Sequence, residues 1–554
     1  MKNKKKILKF LGFSILPVIP ATTILTACGN EALNQFIAKL EKANNLQSIL
    51  KLNLVNDPTE TYSLYCHNDD IKPLIKESYK QRSEIDPIIN ITESVRTIST
   101  FSNKYGTFIK ASNHEGSETN YDQIWVRDSV WAYKKLINDD TTESKTTAKK
   151  ILLTLIDYFS TPKQIARAIA AINDPSIVLL SNDGNMNAIH IRFDASTLDD
   201  VQVDGIDQIW NHKQNDALGF LLAETIIALE NKDITFYDLD QANSKIDGAV
   251  KRIDTLIYLV AYLNALNYYQ MADSGAWEEN EAVRASSISL VTNGEERLYE
   301  YMTRTTPDTD RDQFINAYNE FINCKGYEYY CAQDRLSFYI DAGYKVIKSL
   351  IDKGGECTGY DEIDPNYRAA DAALLNLIYP CTLNNLGNIY QRKILQIVSD
   401  ALVTPTGIKR YKNDPYQAAN YWFLVNSTDI DSGGANSKRK QLFIPGTEAS
   451  WFFDSWFALC AFKLMNDESV PSSDKPLLEN NLYKFLNRSI GQITQVGNYV
   501  ADGCLVEEIG LPESYNIIYK NNNNFWYISS SIDDLNWARS MFSILLETLD
   551  RNIE

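Results

Sequence analysis

Apolar residues recur every three to four positions in segment after segment of this chain, which commits most of it to amphipathic helices. The pattern runs near 123–138, 144–160, 214–230, 245–270, 283–302, 310–323, 334–352, 367–379, 386–402, 448–465, 474–490 and 534–549. Alternation of the strand type is confined to short pieces near Gly106–Ala111 and Asn187–Phe193. Asn521–Asn524 reads as a surface loop.

The helices begin in an unusual way. Trp125-Val126-Arg127-Asp128 opens one, Trp210 with Gln214 and Asp216 another, and Trp277-Glu278-Glu279 precedes a third. Tyr367-Arg368-Ala369-Ala370-Asp371, Gly446-Thr447-Glu448 and Asp533-Asp534-Leu535-Asn536-Trp537 open three more. Successive starts lie about 70 to 90 residues apart, room for one helix, a return helix and loops. Six such hairpins closed in a ring would collect every one of these residues at one rim. The expected fold is all-α, an (α/α)6 barrel with small β insertions; the same spacing also fits an open helical array.

The N-terminus is different in kind. Five lysines (Lys2, Lys4, Lys5, Lys6 and Lys9) precede an apolar run from Phe10 to Ile19, and Leu25-Thr26-Ala27-Cys28-Gly29 follows. Charged start, short apolar middle and small-residue end are the parts of a secretory signal. The residues before Cys28 resemble a bacterial lipoprotein signal, which implies lipidation of Cys28 and a lipid-anchored protein on the extracellular face of a cell membrane. Residues 1–27 are read as signal peptide. Residues 28–95 are read as a tether and N-terminal helical segment, with a short helix between Glu31 and Leu54, and 96–554 as one helical domain. A net charge of −18 argues against nucleic acid as a partner. The remaining cysteines are scattered, and the four histidines form no ligand cluster, so neither a disulfide scaffold nor a zinc site is expected. Cys324 and Cys331 could bridge locally, but buried free thiols are the preferred reading.

Glu278 and Glu513 stand out among 72 acidic residues because each lies beside aromatic rings, in Trp277-Glu278-Glu279 and Leu511-Pro512-Glu513-Ser514-Tyr515. Breaking an acetal takes two carboxyl groups, one to protonate the leaving oxygen and one to activate water. Over residues 100–550 the chain resembles the glucoamylase-type inverting glycosidases, glycoside hydrolase family 15, in five separated motifs that keep the family's order. That resemblance implies an exo-acting hydrolase that cleaves terminal α-glucosidic bonds and releases β-glucose, without metal or organic cofactor. It assigns Glu278 as proton donor and Glu513 as base, with Glu507 and Glu508 as rivals for the base.

By the same resemblance Arg127 and Asp128 bind hydroxyls of the terminal sugar, Tyr121 places the attacking water, and Trp125 and Trp210 pack near the acid. Glu279 binds the next sugar beside Trp277. Arg410 reaches sugar hydroxyls, while Tyr411, Tyr416, Trp422 and Trp537 line the site. The chain departs from the fungal pattern at His212, where those members carry arginine, and in a longer interval from Glu513 to Trp537. The Gly446–Trp456 stretch also looks like site lining, with Glu448 at a helix start. The expected partners are an oligosaccharide or disaccharide and the membrane, with the protein a monomer. A sugar-binding lipoprotein without catalysis, or a relative acting on another sugar or by transglycosylation, is the alternative.

Overall fold

The computed structural model describes residues 21–43, 48–113, 121–203, 205–424 and 436–553; for 21–30 and 436–438 it describes the backbone alone. Residues 1–20 of the expected signal and the side chain of Cys28 lie outside that description.

The body is a closed ring. Helix Val126–Asn138 packs on Asn215–Glu230, which packs on Ala285–Thr303, and that on the 3-10 helix Ala372–Leu377. The 3-10 helix meets Asp454–Met465, which meets Asn536–Asn552, and Asn536–Asn552 returns to Val126–Asn138. Outside this inner ring each member carries a partner: Thr142–Phe159, Arg252–Ala265, Gln333–Asp352, Asn388–Leu402 and Lys475–Gly491 in turn. The last inner helix takes its partner from the other end of the chain, Arg82–Ile91. This is the (α/α)6 arrangement, and it closes.

Burial explains which helix goes where. In Asn215–Glu230 every side chain from Asn215 to Ile226 is buried, as inner helices with neighbours on all sides require. Gln333–Asp352 buries only Leu336, Tyr339, Ile340, Gly343, Tyr344, Ile347, Leu350 and Ile351, a single stripe at helical spacing. Gly219 sets the closest approach in the inner ring: a Cβ there would stand 2.4 Å from the backbone nitrogen of Val291.

Two expectations need correction. The 367–379 segment forms only a 3-10 helix at Ala372–Leu377, capped by the Asp371 side chain and followed by Pro380, whose ring cannot continue a helix. The helix expected between Glu31 and Leu54 ends at Leu40, and Ser48–Leu54 pairs antiparallel with Asp57–Cys66 instead. Tyr62, Leu64 and Cys66 alternate inward on that hairpin, which packs on Lys475–Gly491. Asn521–Asn524 is the turn of a second hairpin, Ser514–Asn521 with Asn524–Ser529, joined on its other edge by Ser450–Trp451. That hairpin accounts for the long interval between Glu513 and Trp537. It also has an occupant: Leu33, Phe36, Ile37 and Leu40 of the N-terminal helix bury against Ala501, Ile518 and Ile528.

The expected strand-like pieces shrink to two residues each, Thr107–Phe108 and Arg192–Phe193. Among the described residues no helix is long and apolar enough to cross a membrane, and no group of His, Cys, Asp and Glu could hold a metal ion. The seven described cysteines, Cys324 and Cys331 among them, are free thiols.

Candidate active site

The inner helices all present their N-terminal ends to the same side of the ring. The pocket found there is lined by Arg127 and Asp128, Trp210, Trp277 to Glu279, Phe453, and Leu535 with Trp537, each at or just before the start of an inner helix. Loops add Tyr121, Arg410, Tyr416 and Glu513. The 3-10 helix contributes indirectly, through Asp371, which accepts the Trp277 indole N–H at 2.8 Å. Helix N-termini carry partial positive charge, so this rim favours anionic side chains.

Glu278 and Glu513 share the pocket but are held by different networks. Glu278 sits in the left-handed region at φ 58°. A side chain rarely adopts that conformation, which functional sites tolerate when the surroundings enforce it. Its Oε1 accepts the Trp125 indole N–H at 2.8 Å, and the Asn211 amide holds its carbonyl at 3.0 Å. Burial raises the Glu278 carboxyl, against the opposing charges of Arg127 and Arg192.

Glu513, 2 % exposed, accepts Tyr121 Oη at 2.7 Å on one oxygen and Gln417 Nε2 at 2.6 Å on the other. Burial raises it as well, while these donors and Arg410 favour its ionised form. Tyr121, whose hydroxyl is pushed well above its ordinary value, stays a donor. Glu507 and Glu508 are exposed and outside the pocket lining.

The two arginines are pre-set. Arg127 donates to Asp216 at 2.7 Å and to Gln214 at 2.6 Å. Arg410 makes a two-pronged contact with Asp414, 2.6 and 2.8 Å, and a further bond to Glu279 at 2.7 Å. Planar guanidinium forks held this way lose little freedom when a hydroxyl or carboxylate arrives. Burial alone would raise Glu279, but Arg410 and Arg368, with the Tyr411 hydroxyl, outweigh it and hold the carboxyl below the usual range. Asp128 is pushed by burial up to about 7, with Glu278 and Glu513 adding to the effect and Arg127 opposing it. The pocket thus offers carboxyls of unlike character within reach of one small polar molecule, and a wall of indoles: Trp277 stacks on Trp537 at 6.0 Å between centroids.

A profile of the family described as Glycosyl hydrolases family 15 matches residues 94–327. An uncharacterized lipoprotein, YgeQ, of Escherichia coli (strain K12) is 39% identical over 232 residues, covering 40% of this chain and 82% of the relative. The chain belongs to glycosyl hydrolase family 15. It is a glycosidase by membership. A putative protein, YgeP, of the same organism is 37% identical over 100 residues, covering 17% of this chain and 92% of that one. Solved structures with a similar path include a wild-type glycosidase (13% identity, TM-score 0.46, 83% of this chain and 94% of that one). The glucoamylase of Saccharomycopsis fibuligera is another (13% identity, TM-score 0.46, 87% and 100%).

Of the substrate-binding positions that the resemblance implies for this family 15 chain, Tyr411 and Trp422 stand apart from the pocket lining. Tyr411 lies behind the wall, its hydroxyl donating to Glu279 and its ring 3.4 Å beneath the Arg368 guanidinium. Trp422 packs instead beside the N-terminal helix, in the cluster of Leu33 and Phe36. It also packs against the main core, and its indole nitrogen is buried. Glu448 is likewise no lining residue; Lys409 and the Asn413 backbone N–H hold it at 3.0 and 2.9 Å.

Sequence reasoning did not single out Gln417, Asp216's pairing, Arg192 or Arg439, because each reaches the site from far along the chain without a local signature. Trp451, Phe452 and Phe453 line the pocket from the stretch that looked like site lining.

Proposed function

We propose that this glycosidase hydrolyses a terminal α-glucosidic bond with inversion, Glu278 acting as acid and Glu513 as base. The observation that carries the reading is one pocket lined by two carboxyls with unlike partners, Glu513 buried and Glu278 partly exposed to it. Both oxygens of Glu513 accept hydrogen bonds, which favours the charged form a base needs. Glu278 accepts the Trp125 indole N–H, interacts with the Gln214 side chain, and faces the pocket, as a proton donor must.

In the proposed step water attacks the anomeric carbon and gives its proton to Glu513, with Tyr121 orienting it. The bond from that carbon to the glycosidic oxygen breaks, and Glu278 delivers its proton to the departing oxygen. Arg127 and Asp128 bind hydroxyls of the terminal ring, Arg410 and Glu279 those further out, and the indoles of Trp125, Trp210, Trp277 and Trp537 take its C–H faces. Water attacks opposite the leaving group, so the first sugar released is the β-anomer.

Proton NMR of digests of maltose, isomaltose, dextran and trehalose tests this directly. β-Glucose should appear first and equilibrate later; α-glucose first, or no release from any of the panel, would sink the reading. The protein is further proposed to be a membrane-anchored lipoprotein through Cys28, a reading supported by its signal-like N-terminus and by the lipoprotein named among its relatives.

A further inference from the structure

A buried cation stands behind the proposed proton donor. Arg192 is 1 % exposed and belongs to the two-residue strand Arg192–Phe193, which pairs with Ile124–Trp125 so that Trp125 and Arg192 are direct cross-strand partners. Its guanidinium carbon lies 4.6 Å from the centroid of the Trp125 ring and 4.2 Å from that of Trp210. Those two rings meet edge to face at 6.1 Å. Gln208 fixes the rotation of the guanidinium by accepting from Nη1 at 2.7 Å. Phe193, stacked on Tyr158 at 3.8 Å, anchors the strand beneath. The same Trp125 offers its indole N–H to Glu278.

We infer that Arg192 is a positioning residue for the proton donor: it clamps Trp125 and Trp210 together, fixes the indole N–H that holds Glu278, and places a positive charge behind that carboxyl. The inference rests on the acid role proposed for Glu278. The charged groups facing Glu278 are Arg127 and Arg192, with Asp128 on the opposite sign; those facing Arg192 are Glu278, Asp122, Tyr121 and His212, whose imidazole burial holds neutral. Burial pulls the Arg192 guanidinium down to about 10, so it remains charged at neutral pH. A guanidinium between two indoles is attracted to both ring faces, which makes the clamp specific to arginine.

The test uses the folded protein labelled with carboxyl-13C glutamate, the Glu278 signal being identified by its loss in Glu278→Gln. In Arg192→Met the midpoint of that signal should move to higher pH, because the carboxylate loses a neighbouring cation. The alkaline limb of kcat/KM should move with it, while kcat falls by about tenfold or more and KM changes little. Arg192→Lys should keep the midpoint close to the parent's and still lose kcat, since it retains the charge without the planar clamp. An unmoved Glu278 midpoint in Arg192→Met, with only a lower melting temperature, would overturn the inference. Should Arg192→Met not fold, Gln208→Leu, which removes the Nη1 bond, should show a smaller upward move; no move would overturn it equally. If the parent hydrolyses no glycoside, the acid role fails on its own, and the carboxyl titration still decides what Arg192 does to Glu278.

Discussion

Glu278 and Glu513 are pocket carboxyls whose surroundings differ by a few atoms, and those atoms carry the proposed division of labour. Replacing either with glutamine preserves volume and most hydrogen bonds but removes the transferable proton or the base. Each variant should lose roughly 1,000-fold in kcat while its thermal melt stays near that of the parent. Activity retained in both would refute the assigned roles. A second buried acid shows the opposite use of burial. Glu295, fully buried in an inner helix, faces no cation, and burial raises it well above the carboxylate range against the opposing effect of the Asn264 side chain. Its folded pKa exceeds its unfolded one, so the folded state binds the extra proton and stability is lost as pH rises above about 4.5. Glu295→Gln should therefore raise the melting temperature at pH 7 to 8 by about 2 °C or more and leave it unchanged near pH 4. Equal melting shifts at both pH values would show that the proton is not involved.

The elements that carry site residues are short and borrow their order from larger neighbours. Glu513 precedes the strand Ser514–Asn521, and that strand and its partner form one wall of the cluster that seats the N-terminal helix. Phe36 is the centre of this contact, stacked on Phe423 at 5.2 Å and meeting Tyr499 edge-on at 5.6 Å. Phe36→Ala should cost roughly 3 kcal/mol. Amide exchange should show where: faster across Ser514–Asn521 and Asn524–Ser529, unchanged in helix Val126–Asn138. Equal acceleration in both would mean that the N-terminal helix is not coupled locally to the hairpin. Most inner and outer helices were legible, because a 3.6-residue apolar period is a local property, but Arg82–Ile91, the sixth outer helix, and Pro162–Asn173 were not among the expected spans. The two hairpins were not legible either. Tyr62, Leu64 and Cys66 alternate only over one strand, and Ile518 and Ile528 are apolar because of a helix that lies far away in the sequence.

At the scale of the molecule, six hairpins close into a ring whose sixth outer helix, Arg82–Ile91, comes from the start of the chain. The N-terminal helix then crosses to the hairpin beside Glu513, so the proposed anchor at Cys28 lies only a few residues from Leu33, the first described side chain buried on the body. Cys28→Ser should shift the protein from the detergent phase to the aqueous phase on temperature-induced separation, with hydrolysis rates unaffected. A variant that stayed in the detergent phase would remove the lipid anchor from consideration.

By itself the sequence determined the helical body and singled out the helix starts and the two glutamates, Glu278 and Glu513, that the structure places in one pocket, since periodicity and helix starts are written in neighbouring residues. Only the tertiary structure decided that the ring closes, that Trp422 packs between the main core and the N-terminal helix and not in the pocket lining, and that Arg192 and Gln417 stand behind the two carboxyls. Those placements depend on which distant segments meet, and a contact between strands of two residues leaves no pattern along the chain.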